Sequence, residues 1–102
     1  MKIDKTVKVF LSPGVTDLRK SYNGLYNKLK DQMGINIHDK VLVGFSNRTR
    51  TMVKFIYYDQ NGLAIWMKKL DDTTFDWPED TATNVILTRK QYNFLLDNIY
   101  RN

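Results

Sequence analysis

The sequence predicts an α+β fold. We expect a single small domain over residues 1–102, with an antiparallel sheet of about four to five strands, a helix after the first strand and a C-terminal helix packed on the sheet. The 102 residues suffice for one modest hydrophobic core but not for two. Short apolar runs rich in β-branched and aromatic residues alternate with turns that contain Gly, Pro or Asn. Two other segments repeat apolar residues every three and four positions, which is the period of a helix.

The first strand is predicted at residues 7–11, where an apolar run is stopped by a Ser-Pro-Gly turn. Thr16 or Asp17 can cap a following helix that we expect to extend to about Met33. Gly34 is expected to end this helix, since glycine accepts the positive φ of a C′ position. The apolar stripe predicted to dock the helix on the sheet is Leu18, Tyr22, Leu25, Tyr26, Leu29 and Met33.

Three further strands are predicted at residues 41–45, 52–58 and 63–69. The last two form a hairpin through Asn61-Gly62, because both residues accept the positive φ angles of a tight turn. One face of the hairpin is expected to carry Val53, Phe55, Tyr57, Ala64, Trp66 and Lys68, and the other Lys54, Ile56, Tyr58, Leu63, Ile65, Met67 and Lys69. Neither face is cleanly polar, so either both faces are covered or one presents aromatics and lysines to a partner.

The register of this hairpin depends on the length of its loop. With a two-residue Asn-Gly loop, Tyr58 lies opposite Ile65 and Lys54 lies opposite Lys69. Two opposed lysines destabilise a sheet unless an anion lies between them, which would favour a polyanionic ligand. A three-residue loop or a bulge would change these pairs.

The C-terminal element has the clearest local signals. Residues 85–87 form a short predicted strand, and Thr88 with Gln91 forms a capping box at the start of a helix. Leu87 and Tyr92 have the spacing of a hydrophobic staple. The apolar stripe of this helix is Tyr92, Leu95, Leu96, Ile99 and Tyr100. We therefore predict a structural helix docked on the core.

Charge is unevenly distributed along the chain. The net charge is +5, but residues 1–70 hold 13 Lys and Arg against 5 Asp, whereas residues 71–102 hold 3 against 6 acids. We call residues 71–80 the acidic segment; its acids are Asp71, Asp72, Asp76, Glu79 and Asp80. Segregated basic charge is the electrostatic signature expected of a protein that binds a polyanion. The alternative interpretation is a basic protein whose lysines are simply solvated.

Composition also indicates the cellular compartment in which the protein is expected. The chain has no cysteine, which excludes disulfides and thiolate zinc sites and fits a reducing cytoplasm. No apolar run approaches the roughly 20 residues of a membrane helix. The N-terminal residues lack the apolar core of a signal peptide. We expect a cytoplasmic protein without a membrane partner.

The sequence offers no convincing catalytic site. His38 is the one histidine, and no second histidine or cysteine accompanies it to share a metal, so we expect a surface loop residue. No nucleophile motif surrounds Ser12, Ser21 or Ser46, and the five glycines are scattered through turns. The carboxylates outside turns are confined to the acidic segment, whereas nucleases gather acids from separate elements. We predict no catalytic residue, no metal site and no cofactor.

Two blocks of sequence together resemble one protein family. The first block is VTDLRKSYNGL, and the second includes FSNRTR, Lys54, Tyr58-Asp59, Gly62, Trp66, KKLD and FDWP. They resemble the small accessory protein, called TnpB or Orf2, of the insertion-sequence family IS66, which is distinct from the RNA-guided nuclease of the same name. The resemblance extends from Val9 to Tyr100. Thr49 stands where the family pattern has an arginine, so the basic cluster is weaker by one charge.

The resemblance implies a part in bacterial transposition, beside a separate catalytic transposase that is the expected protein partner. The first hypothesis is that the protein binds DNA at the transposon ends, with basic side chains on phosphates and an exposed aromatic ring stacked on a base. The candidate residues are Arg19, Lys20, Asn47, Arg48, Arg50, Lys54, Trp66, Lys68 and Lys69. No helix-turn-helix or zinc-finger pattern is present, which favours recognition by strands or by DNA shape.

The second hypothesis is a protein-interaction module that assembles with the transposase without contacting DNA. The acidic segment and an exposed aromatic face would then form the contact. Under either hypothesis, Phe75, Trp77 and Pro78 are expected to close the fold, whereas Trp66 has as much reason to be core as surface.

Overall fold

The structure is a computed structural model that describes residues 4–80 and 84–100, with side chains in the last helix described as far as Leu95. The strands are β1 (Lys8–Leu11), β2 (Val41–Ser46), β3 (Met52–Asp59), β4 (Gly62–Lys69) and β5 (Val85–Leu87). They form one sheet in the order β4-β3-β2-β1-β5. The helices are α1 (Tyr22–Asn27), which continues as a π-helical turn (Lys28–Gln32), and α2 (Arg89–Tyr100). The α+β fold class and the single domain are confirmed.

The sheet is mixed, so the prediction of a purely antiparallel sheet is wrong in one pair. β1 and β2 are parallel, with Lys8 opposite Val41 and Leu11 opposite Gly44. The other three pairs are antiparallel. The chain between β1 and β2 includes α1 and the π-helical turn, and this crossover returns it to the end of the sheet where β1 began.

The β3–β4 hairpin has a different loop from the one predicted. Asp59 pairs with Gly62, so the two loop residues are Gln60 and Asn61, and Gln60 has a φ of 51°. The positive φ that the sequence assigned to the Asn-Gly pair therefore lies one residue earlier, at Gln60. The hairpin itself is confirmed.

The predicted register is wrong by two residues. Lys54 lies opposite Met67 instead of Lys69, and Lys69 lies opposite Met52. The expected pair of opposed lysines therefore does not form, and its implied anion is not needed. Because side chains alternate with a period of two, this shift leaves each residue on the face that was predicted for it.

Both faces of the sheet are covered. On one face the core is Val9, Leu11, Leu42, Val53, Phe55, Leu70, Phe75, Trp77, Tyr92 and Leu95. On the other it is Leu18, Leu25, Leu29, Met33, Ile35, Ile37, Val41, Val43, Phe45 and Ile56. Phe75 and Trp77 are 2% and 3% exposed, and the Trp77 indole N–H donates to the Ser12 carbonyl at 2.9 Å. The predicted structural role of Phe75 and Trp77 is confirmed.

Gly44 in β2 is closely packed against its neighbours. A Cβ at this position would lie 2.5 Å from Cε1 of Phe55 and 3.0 Å from Cδ2 of Leu11. Both neighbours belong to the buried core. The absence of a side chain at Gly44 therefore makes room for the Phe55 ring.

The first helix begins later than predicted. Ser21 is its N-cap residue, and Asp17 instead accepts the Arg19 backbone N–H at 3.0 Å in a preceding turn. Tyr22 is 47% exposed, so its predicted place in the core is wrong. The other residues of the predicted apolar stripe do face the core: Leu18, Leu25, Leu29 and Met33 are buried, and Tyr26 is half-buried. Gly34 follows with a φ of 66°, as its predicted C′ position requires.

The start of α2 has the predicted capping box. The Thr88 N–H donates to Oε1 of Gln91 at 2.9 Å, and the Gln91 N–H donates to Oγ1 of Thr88 at 3.1 Å. Tyr92 and Leu95 are buried as expected. The remaining stripe residues, Leu96, Ile99 and Tyr100, lie outside the described side chains. Within residues 4–80 and 84–100, no helix has the length and apolarity needed to cross a membrane.

Candidate nucleic-acid interface

The chain brings separated basic residues to one end of the sheet. The carboxyl ends of β1, β2 and β4 and the amino end of β3 lie there. The turn between β2 and β3 carries Arg48 and Arg50, and the last residues of β4 pair with the first of β3, Lys68 opposite Val53 and Lys69 opposite Met52. These residues are distant in sequence, and the strand pairing makes them neighbours.

A loop after β1 adds two more basic residues to this end. The Thr16 N–H donates to the Ser46 carbonyl at 2.8 Å, which fixes the loop beside the last residue of β2. Arg19 and Lys20 follow in the same loop and are exposed. We call the resulting set the basic end; its members are Arg19, Lys20, Arg48, Arg50, Lys68 and Lys69.

Asn47 organises the β2–β3 turn from within. Its side-chain Oδ1 accepts the N–H groups of Thr51 and Met52 at 3.0 and 3.1 Å. Its Nδ2 donates to the hydroxyls of Thr49 and Thr51 at 3.2 and 3.1 Å. The amide is thus engaged at both ends, so a contact of Asn47 with DNA would have to displace these bonds. Its immediate effect is to present Arg48 and Arg50.

Lys54 is also engaged internally. Its Nζ donates to the backbone carbonyls of Leu18 at 2.5 Å and of Lys20 at 3.1 Å. A strand residue in the middle of the fold therefore holds the loop that carries Arg19 and Lys20. This ammonium group positions neighbouring basic residues, a role that the sequence pattern did not reveal because the two acceptors are backbone atoms more than 30 positions away.

The Arg19 guanidinium faces outward but is paired within its own turn. Its side chain is 91% exposed, and its Nη2 lies 2.8 Å from Oδ2 of Asp17. The hydrogen bonds from Arg19 lower the pKa of Asp17 to about 2, and the pair raises the pKa of Arg19. Asp17 therefore stays ionised at neutral pH and offsets part of the positive charge of Arg19.

The acidic segment crosses the same end of the sheet. The Leu70 N–H donates to the Thr51 carbonyl and the Phe75 N–H to the Arg50 carbonyl, both at 2.7 Å. The basic and acidic residues are separated along the sequence, but the fold brings them to the same end of the sheet. No ion pair shorter than 4 Å joins the acidic segment to Arg48, Arg50 or Lys69 among the residues described. Segments of opposite charge thus lie at the same end of the sheet.

Comparison with known proteins identifies the family. The family model described as "IS66 Orf2 like protein" matches residues 7–102. The chain belongs to the IS66 Orf2-like family. The proteins of this family are accessory proteins of insertion sequences, as the sequence resemblance implied.

A curated relative of this IS66 Orf2-like protein comes from Sinorhizobium fredii (strain NBRC 101917 / NGR234). It is named "Uncharacterized protein y4hO" and is 27% identical over 95 residues, which cover 93% of this chain and 83% of the relative. No solved structure matches the chain.

Trp66 is the candidate aromatic of the IS66 Orf2-like chain, and it is half-buried. It packs against the core beside Phe55, with ring centroids 5.9 Å apart. Its position on β4 is two residues before Lys68, on the same face. Tyr58, an aromatic residue of β3, is 38% exposed and packs edge to face on His38, with ring centroids 4.4 Å apart. Tyr58 lies near the hairpin turn, away from the basic end.

Lys28, the first residue of the π-helical turn, is half-buried. Burial lowers its pKa, the positive charge of Lys20 lowers it further, and Asp80 raises it. The effect of Lys20 on this pKa indicates repulsion between the two positive charges. The signal available in the sequence was its position directly before the buried Leu29.

The structure places His38 in an exposed loop, as expected. Within the described ranges 4–80 and 84–100, no group of three or more His, Cys, Asp or Glu side chains is arranged to hold a metal ion. The basic end supplies cations, and the turn beside it supplies an amide and hydroxyls; groups of these kinds bind anions.

Proposed function

We propose that this IS66 Orf2-like protein is a non-catalytic, cytoplasmic accessory protein of transposition that binds DNA at the transposon ends through the basic end. The observation that carries this proposal is the gathering of six basic residues from three separate parts of the chain at one end of the sheet. Chain segments that converge in this way provide several phosphate contacts at once, and each contact adds to affinity by counterion release.

Within this proposal the nine candidate residues have different roles. Arg19, Lys20, Arg48 and Lys69 are exposed and are the proposed phosphate contacts, with Arg50 and Lys68 partly covered beside them. Asn47 and Lys54 position the two segments that carry the arginines. Trp66 supplies an apolar edge to the surface, since it is half-buried. The arrangement favours recognition of backbone and shape, because it presents turns and strand ends.

The test is the salt dependence of binding to duplex DNA that contains the terminal repeats of the element. Fluorescence anisotropy over about 50 to 200 mM salt should give a steep linear plot of log K against log salt. The double variant Arg48→Ala/Lys69→Ala should weaken binding and reduce the slope by roughly 2, because each lost phosphate contact removes about 0.9 from it. Absence of binding at low salt would refute the proposal.

A matched control uses the opposite end of the sheet. Lys5 and Lys8 are exposed there, at and before the start of β1. The double variant Lys5→Ala/Lys8→Ala removes the same charge, and we expect it to leave the slope within about 0.5 of the parent because it removes no phosphate contact. Equal losses from both double variants would mean that net charge, and not the basic end, determines binding.

A second candidate function is assembly with the element-encoded transposase. It is favoured by Phe94, which is 62% exposed on α2 beside the acidic segment. Exposed aromatic residues next to charge are typical of protein contact sites. Capture of the transposase that survives nuclease treatment would support this function, and loss of capture after nuclease treatment would assign the association to bridging DNA.

A further inference from the structure

An apolar cavity lies between α2 and the acidic segment, and none of its lining residues belongs to the basic end. Its volume is about 340 Å³. Its base is formed by the buried side chains of Leu11 and Leu95 together with the half-buried Leu87. Phe94, which is 62% exposed, also lines it, so among the described residues an apolar surface is open to solvent here.

The size of the cavity suits a side chain better than a metabolite. Sites for drug-sized ligands measure about 300–1,000 Å³ and hold several convergent polar groups. This cavity is at the lower limit of that range, and its walls are mainly apolar. Such a cavity fits one large apolar anchor residue of a protein segment, which is the usual centre of a protein–protein contact.

The charges at the rim restrict what can surround the anchor. Asp76 lines one side of the cavity and Lys90 lines the other, on α2. The acidic segment extends from Asp76 in both directions, and its side chains at Asp72 and Glu79 are exposed. A partner segment is therefore favoured if it carries Lys or Arg on the Asp76 side of its anchor. Lys90 disfavours positive charge on the α2 side.

We propose that this cavity binds a basic protein segment through one large apolar side chain, with an adjacent Lys or Arg paired to Asp76. The proposal deepens the second candidate function and rests on it, since it assigns the surface by which the protein would assemble with a partner. A partner that handles DNA has basic segments of this kind because it must contact phosphates. The cavity and the basic end are formed by different residues, so separate substitutions can test them.

The test is selection from a random displayed peptide library on the immobilised full-length protein. Enriched peptides should share a large apolar residue next to Lys or Arg. Phe94→Ala should weaken a selected peptide at least about tenfold, as expected for loss of a central aromatic contact. Asp76→Asn should weaken it about three- to tenfold, and Lys90→Ala should not weaken it, because its charge opposes a basic peptide.

Two matched variants are controls for the effects of Phe94→Ala and Asp76→Asn. Tyr22→Ala removes an exposed aromatic side chain elsewhere, and Asp72→Asn removes a neighbouring acid that does not line the cavity. Both should bind the peptide like the parent. Because Phe94 and Asp76 are exposed, their substitution should leave the circular dichroism spectrum unchanged.

Enrichment of no peptide, or of peptides that ignore Phe94→Ala and Asp76→Asn, would overturn the cavity proposal. Nuclease-resistant capture of the transposase by those same variants would show that assembly occurs through another surface. Retained peptide binding by Arg48→Ala/Lys69→Ala, with loss of DNA binding, would separate the cavity from the basic end.

Discussion

Replacing Lys54 with methionine should destabilise the protein by about 2 kcal/mol. Methionine preserves most of the apolar stem but removes the ammonium group that donates to the carbonyls of Leu18 and Lys20. Hydrogen bonds to charged groups contribute about 1.5–3 kcal/mol each when buried. The hydrogen bond to Leu18 is partly buried and the hydrogen bond to Lys20 is exposed. We therefore expect the two together to contribute about as much to the free energy of unfolding as one such bond.

The assay is equilibrium unfolding, followed by tryptophan fluorescence in urea and by circular dichroism on heating. For a domain of about 100 residues, 2 kcal/mol corresponds to a decrease in Tm of roughly 10 °C. Lys69→Met is the matched control, because Lys69 is exposed on the edge strand β4. An exposed substitution of this kind changes the free energy of unfolding by no more than about 0.5 kcal/mol.

Unfolding free energies for Lys54→Met and Lys69→Met that agree within about 0.5 kcal/mol would refute this reasoning. They would mean that water replaces the ammonium group at both carbonyls without loss. Lys54 would then be available as a phosphate contact, which is the role that the sequence pattern suggested for it.

Two further predictions concern packing and ionisation. Gly44→Ala should lose about 2 kcal/mol or more in urea unfolding, because its Cβ would overlap the buried ring on the neighbouring strand. Gly62→Ala, with nothing within 4 Å, should be neutral or stabilise by up to about 1 kcal/mol, because alanine has less backbone entropy to lose on folding than glycine; an equal loss of stability in both variants would contradict overlap with the ring as the cause. Arg19→Ala should raise the pKa of the Asp17 carboxyl from about 2 toward 3.8, measured by NMR titration. Because the folded-state pKa is lowered, the stability that this carboxylate contributes is present above pH 3.8 and is lost as the pH falls toward 2. The control variant Lys20→Ala should change the pKa of Asp17 less than Arg19→Ala does. An unchanged pKa of Asp17 in Arg19→Ala would contradict the pairing.

Features with local causes could be predicted from the sequence. The capping box of Thr88 and Gln91 forms because its two partners are three residues apart. Gly34 adopts positive φ because that conformation costs glycine little. The faces of the hairpin were assigned correctly because alternation is a property of any strand. The register of the hairpin was not predicted correctly. The preference for Asn-Gly is only a tendency of short loops, and the pairing of the whole strands outweighs this tendency.

The candidate site was predicted in part. Composition and spacing pointed to the basic residues, and the strand pairing brings Arg48, Arg50, Lys68 and Lys69 to one end of the sheet. The distinct role of Lys54 could not be predicted, because backbone carbonyls as acceptors leave no trace in the sequence.

Sequence alone was sufficient for the α+β class, most of the stripe of the first helix, the buried Trp77 and the basic character, since each follows from composition or from neighbours along the chain. The tertiary structure decided that β1 and β2 run parallel, that Lys54 holds the loop before α1, and that the acidic segment crosses the basic end. These features depend on contacts between residues that are far apart in the chain. Many pairings are compatible with the same local pattern, and only the packing of the whole core selects one of them.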